Sequence, residues 1–115
     1  MTDALNIDLH THSNCSDGTL APEELVQRAA ASGIQVLALT DHDTMAGVDS
    51  AEKAARLAGI RLIPGVEVSA AWRAQSIHVL GLWVDPASSQ FQERLQSQAV
   101  RRHQRMRSMC ARLTK

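Results

Sequence analysis

The chain is 115 residues long, 44% hydrophobic and 21% charged, with 12 basic side chains against 12 acidic ones, proportions of one globular domain rather than a disordered tail. Its apolar runs fall short of the ~18 residues a membrane helix needs. Met1-Thr-Asp-Ala-Leu-Asn6 lacks the basic start of a secretion signal, so a cytoplasmic protein with no membrane partner is expected. Cys15 and Cys110 are too sparse for a disulfide scaffold and lack paired metal spacing, which predicts two reduced thiols. The neutral total hides a split: residues 1–87 carry 5 basic and 11 acidic side chains, net −6, whereas residues 88–115 carry 7 basic and 1 acidic, net +6. An acidic body can hold cations and a basic tail can meet anions.

Leu5 to Leu9 reads as a short strand, followed by a polar loop from His10 to Ala21 with turn-prone Ser16-Asp17-Gly18. Pro22 then opens a helix whose first turn carries Glu23 and Glu24, whose apolar face is Leu25, Val26, Ala29 and Ala30, and which Gly33 ends. Ile34 to Thr40 is apolar with little alternation, as in a parallel strand covered on both faces. A loop from Asp41 to Gly47 precedes a helix over 48–58 closed by Gly59. Ile60 to Ser69 returns to strand, with an interruption expected at Pro64-Gly65.

This β-α-β-α-β rhythm implies parallel pairing through right-handed crossovers and an α/β fold. The rhythm then changes. No helix fits between Glu67 and Ser76–Val84, which predicts an antiparallel hairpin across residues 70–75. A turn near residues 72–73 would set Glu67 almost opposite His78. After Asp85-Pro86, one helix of about 25 residues is expected from Ala87 onward, with Phe91, Leu95, Ala99, Met106, Cys110 and Leu113 as its apolar stripe.

His10-Thr-His12 leaves a strand end with two imidazoles two residues apart, so an extended backbone points both rings to one side. Glu67 lies between Val66 and Val68 in a strand, where its charge demands a neutralising cation. Asp17, Asp41, His42 and Asp43 occupy loops, where such residues also serve turn chemistry, and a strand histidine like His78 also occurs as a hydrogen-bonded core residue. Their joint placement is more telling. Parallel strands gather His10, His12, Asp17, Asp41, His42 and Glu67 at one sheet edge, and the hairpin adds His78. Of these, the four histidines with Asp17 and Glu67 form a nitrogen and oxygen set without thiolate that suits manganese, iron or zinc, and six candidate ligands imply more than one ion, with Glu67 as the best bridging carboxylate.

Asp8-Leu-His-Thr-His-Ser13 with Ser16-Asp-Gly18, Leu39-Thr-Asp-His-Asp43, Pro64-Gly-Val-Glu-Val68 and Ile77-His-Val-Leu-Gly81 resemble, in order, the motifs of the polymerase and histidinol phosphatase (PHP) metallophosphoesterase family. Within it they look most like the nucleoside 3',5'-bisphosphate phosphatase and 5'-to-3' exoribonuclease branch. The resemblance spans residues 7–86 and implies the front part of a distorted seven-stranded (β/α) barrel, here ending in a long basic helix over about 87–114. It also implies up to three divalent ions. His10 and His12 would bind the first, Asp17 and His42 the second and His78 the third, with Glu67 bridging the first and third. Asp41 and Asp43 would support these ligands, and His42 and Asp41 are both candidates for moving a proton. The family adds a further His and an Asp-x-His pair that this chain, with only His103 after His78, does not match.

Arg94, Arg101, Arg105 and Arg112 recur at helical spacing, with Arg102 and Arg107 beside them. Guanidinium forks suit phosphate oxygens, although such a stripe also serves as a solvated basic face. By resemblance, Arg101 and Arg102 lie where this branch contacts substrate phosphate. Trp72, Trp83 and Phe91 are too few aromatics for a base-stacking platform. The expected activity is metal-assisted hydrolysis of a phosphate ester, on a small phosphorylated nucleotide or a short RNA, with no protein partner indicated. Two alternatives are a truncated, inert metal-binding or interaction module and an amide-hydrolysing metalloenzyme.

Overall fold

A computed structural model describes residues 4–113; Met1–Asp3 and the last two residues, Thr114 and Lys115, onto which the basic helix was expected to extend, lie outside the described residues. Seven elements follow in order: β1 (Ile7–Thr11), α1 (Pro22–Ala31), β2 (Val36–Leu39), α2 (Val48–Ala58), β3 (Arg61–Trp72), β4 (Gln75–Leu82) and α3 (Ser89–Leu113). The strands form one curled sheet in the order β1-β2-β3-β4. β1, β2 and β3 run parallel, and β4 is antiparallel to β3. This is the expected α/β half-barrel with a terminal helix.

The helix signals are obeyed closely. Pro22 stands in the first turn of α1, where its missing N–H has no helical partner to lose, and Glu23 and Glu24 meet the positive end of the dipole. Gly59 caps α2 at φ 73°, the left-handed conformation glycine adopts without a Cβ clash. Val26 and Ala29 of α1 and Val48, Ala51, Ala54 and Ala55 of α2 are buried against Leu37, Leu39 and Val66 of the sheet. Small residues on α2 let it approach α1 and the strands closely.

Three local expectations are corrected. β1 begins and ends two residues later than read, so His10 belongs to the strand rather than to the loop. A register shift between Asp8 and Thr11 bulges the strand there. β3 is not broken at Pro64-Gly65. Pro64 sits where pairing passes from β2 to β4, its carbonyl accepting from the Val84 N–H at 3.1 Å. Gly65 is needed there because a Cβ would lie 2.8 Å from the Gly81 carbonyl oxygen and 2.9 Å from Thr40 Cγ2.

The hairpin is the third correction. Its turn falls at Arg73-Ala74, both at positive φ (49° and 62°), as a two-residue type I′ connection requires. The register therefore sets Glu67 opposite Leu80 and His78 opposite Ser69, two residues from the predicted pairing. A two-residue shift preserves the facing of every side chain, so Glu67 and His78 still meet, as a diagonal pair.

The long helix starts where Ser88 Oγ accepts the Phe91 N–H at 3.3 Å. Of its expected apolar stripe, Leu95 is buried and Phe91 partly so, but residues 99–113 are all exposed, including Met106, Cys110 and Leu113. The helix packs by its inner turns and projects beyond the body. Among the described residues no helix is long and apolar enough to cross a membrane, and Cys15 and Cys110 are both exposed.

Candidate metal centre

The site is built at the ends of β1 and β2 and at the middle of β3, just past the point where its pairing with β2 stops. Beyond β2 the chain stays beside β3 for one more step: the Glu67 N–H donates to the Asp41 carbonyl and the Asp43 N–H to the Glu67 carbonyl, both at 3.0 Å. This bridge sets His42 alongside Glu67. Its imidazole Nδ1 lies 2.9 Å from Glu67 Oε2 and its Nε2 3.2 Å from Asp17 Oδ2. His10 Nε2 approaches Glu67 Oε1 to 3.0 Å, His12 Nε2 approaches Oε2 to 3.6 Å and His78 Nδ1 approaches Oε2 to 3.8 Å. Four imidazoles thus surround one carboxylate that is only 5% exposed.

The rings are packed against one another: His12 and His42 stack at 4.6 Å between centroids, while His10 and His78 meet them edge-on. Donor atoms fall into three overlapping groups, His10–His12–Glu67, His12–Asp17–His42 and His42–Glu67–His78, each with its atoms within 4.8 Å of one another. All six expected ligand residues are therefore brought together, and Glu67 belongs to the first and third groups, where a bridge was expected. His103 falls in none of these groups.

Buried polar atoms normally find hydrogen-bond partners. The Nδ1 atoms of His12 and His42 do not, although carboxylate oxygens stand at 3.7 and 2.9 Å, because the hydrogen-bond geometry is not met. Lone pairs that converge on carboxylates without hydrogen bonding fit a shared cation, and the oxygen and nitrogen donors suit a divalent ion of intermediate hardness.

Asp41 and Asp43 stand behind this cluster. Asp41, 1% exposed, accepts three hydrogen bonds: from the Ser13 N–H at 2.7 Å, the Ser13 hydroxyl at 2.6 Å and the Ser16 hydroxyl at 2.7 Å. It clamps the loop between His12 and Asp17. Gly18 completes the loop, since a Cβ there would lie 2.2 Å from the His12 carbonyl oxygen. Asp43 adopts φ 53°, accepts the Ser69 N–H at 2.9 Å and pairs with Arg102 at 3.0 Å. Gln98, one turn earlier on α3, donates to the Ser69 carbonyl. Arg102 and Gln98 therefore latch α3 to the strand that carries Glu67. Arg101 is exposed, its guanidinium 3.4 Å from Gln98 Oε1.

The sequence reading gave no role to Ser13, Ser16 or Gln98. The two serines could have been found from their place between ligand candidates in a loop that must also satisfy a buried aspartate. Gln98 carried no such signal.

The family model of the PHP domain matches residues 8–110. The chain belongs to the PHP domain family. It is 53% identical over 98 residues to a 5'-3' exoribonuclease of Haemophilus influenzae, a match covering 85% of this chain and 36% of that protein. It is 46% identical over 108 residues to a 3',5'-nucleoside bisphosphate phosphatase of Chromobacterium violaceum, covering 94% and 38%. A solved structure described as an amidohydrolase from Chromobacterium violaceum, with bound sulfate and no metal, superposes with a TM-score of 0.90 at 46% identity over 95% of this chain and 38% of that one. This PHP chain thus spans 36–38% of the length of these relatives, and its half-barrel matches the front part of the solved PHP fold.

Proposed function

We propose that this chain is the front portion of a metal-dependent phosphoesterase domain, with metal motifs in residues 7–86 and a basic helix after them. In this reading His10 and His12 would hold one divalent ion, Asp17 and His42 a second and His78 a third, with Glu67 shared between the first and the third; the three donor groups overlap at His12, His42 and Glu67. Manganese is the favoured metal, with iron or zinc as the alternatives. The observation that carries the reading is the ring of four imidazoles around buried Glu67, with two of their buried nitrogens lacking hydrogen-bond partners. Divalent ions held there supply Lewis-acid polarisation of a phosphoryl oxygen and make a water acidic enough to attack at neutral pH.

The chain's own residues position and exclude. Asp41 spends its oxygens on Ser13 and Ser16, so its part is to fix His12 and Asp17 rather than to carry a proton. Asp43 aims Arg102 and braces Ser69, keeping α3 next to the cluster. Arg101 and Arg102 supply guanidinium donors for a substrate phosphate, Arg102 through the nitrogens that Asp43 leaves free. The substrate is a 3',5'-bisphosphorylated nucleoside or an RNA 5' end, the classes named for the two bacterial relatives.

Metal content after dialysis against manganese, and phosphate release from 3',5'-bisphosphorylated adenosine, test this. More than one ion per chain together with released phosphate is expected. Absence of tightly held metal overturns it. A second reading, an inert metal-binding or interaction module, has bound metal without turnover as its signature.

A further inference from the structure

β3 outruns its neighbour. Pairing with β2 ends at Leu39–Pro64, and the Asp41–Asp43 segment stays beside β3 only as far as Glu67. Two residues on, Ser69 has β4 on one side, and among the described residues no strand lies on the other. Counting from the Trp72–Gln75 pair that closes the two-residue turn, hydrogen-bonded and non-hydrogen-bonded pairs alternate, which makes Ser69–His78 a non-hydrogen-bonded pair. The Ser69 N–H and C=O therefore point away from β4, while its side chain shares a face with that of His78 at the closer of the two pair spacings. Two side chains stand in for the absent strand: Asp43 Oδ1 accepts the Ser69 N–H at 2.9 Å, and Gln98 Nε2 donates to the Ser69 carbonyl.

Gln98 Oε1 lies 3.4 Å from an Arg101 guanidinium nitrogen, which orients the amide with its nitrogen toward Ser69. Asp43 Oδ2 pairs with Arg102, so Asp43, Ser69, Gln98 and Arg102 close a ring that ties the loop after His42 to the strand pair carrying Glu67 and His78. His78 gains from such bracing, because its side chain is half exposed and its 3.8 Å approach to Glu67 is the longest of the four imidazoles. We infer that Gln98 is a positioning residue for the donor group His42–Glu67–His78: through the Ser69 carbonyl it fixes β3 at the level of His78 and keeps that imidazole within reach of an ion shared with Glu67. The inference rests on the proposed metal centre and deepens it, giving α3 a part in metal binding that needs none of its arginines to touch a ligand.

Two substitutions separate the two ends of the amide. Q98E keeps an acceptor for Arg101 and loses the donor to Ser69, whereas Q98K keeps a donor to Ser69 and loses the acceptor. Charge alone predicts that the added carboxylate attracts manganese and the added ammonium repels it; positioning predicts the reverse order. In equilibrium dialysis of the full chain, Q98E should weaken one manganese step by about 10-fold or more, and Q98K should keep most of the wild-type affinity. In an H78A background, where the group is already broken, Q98E should cost nothing further. Amide hydrogen exchange across residues 68–79 in EDTA reads the same contact without metal, and should be faster in Q98E than in wild type or Q98K. Wild-type affinity in Q98E overturns the inference, as does tighter binding by Q98E than by Q98K, or a loss in Q98E that persists at full size in H78A. Faster exchange in Q98E, in a chain whose wild type holds no manganese, rejects the metal centre and leaves the bracing of His78 standing. Manganese held equally by wild type and Q98E rejects the role of Gln98 and leaves the metal centre standing.

Discussion

Asp41 touches no candidate ligand atom, yet its replacement should damage both stability and the metal centre. Its carboxylate is 1% exposed and accepts three hydrogen bonds of 2.6 to 2.7 Å. Hydrogen bonds to a charged group contribute about 1.5–3 kcal/mol each, and a buried partner left unmade costs a further desolvation penalty. Because the loop is partly exposed and can admit water, the sum is reduced, and D41A should cost about 3–5 kcal/mol. D41N keeps the shape and two acceptor contacts and asks only that the Ser13 hydroxyl rotate, so about 1–2 kcal/mol is expected. Urea unfolding followed by circular dichroism reads this. With a slope near ~2 kcal/mol/M, D41A should lower the midpoint by about 2 M and D41N by less than about 1 M. The same D41A chain should hold manganese more weakly, since His12 and Asp17 flank the released loop. The reasoning fails if D41A unfolds within about 1 kcal/mol of wild type, or if the asparagine costs as much as the alanine.

Two other substitutions probe separate features. E67Q keeps the volume of the shared carboxylate but removes its charge from two of the three donor groups. Equilibrium dialysis should show manganese affinity falling on the order of 10–100-fold or more, and an unchanged ion count at low manganese would contradict the bridging role. Ala74 holds φ 62° in the hairpin turn, where a Cβ costs roughly 1–2 kcal/mol and glycine's extra unfolded-state freedom returns part of the gain. A74G should therefore stabilise the chain by about 0.5–1 kcal/mol in thermal unfolding; destabilisation would argue against strain at the turn.

The parts of the fold that local chemistry dictates were legible from residues alone. Pro22, Gly33 and Gly59 bound both short helices because each solves a terminus problem that few other residues solve. The convergence of His10, His12, Asp17, His42, Glu67 and His78 was legible because parallel strands place their ends on one edge whatever the loops do. Pairing detail was harder. Arg73 and Ala74 carry no turn signature, so the hairpin register was misplaced by two residues, an error that period-two facing forgave. Pro64 suggested a break, but the neighbouring strand changes at that residue, and this depends on long-range topology. The bulge in β1 likewise has no local marker. The arginines could be assigned to one helix, but the pairing of Arg102 with Asp43 could not be read, because the two lie 59 positions apart and only the folded sheet brings that carboxylate within reach.

The outer portion of α3 bears on how the basic stripe behaves in water. From residue 99 to residue 113 every residue is exposed, with Arg102 reaching back to Asp43, so this stretch draws little cohesion from burial, and on its own it would be near the length at which peptide helices melt. Its order is borrowed from the turns around Leu95, Gln98 and Arg102, by propagation across a nucleus already fixed.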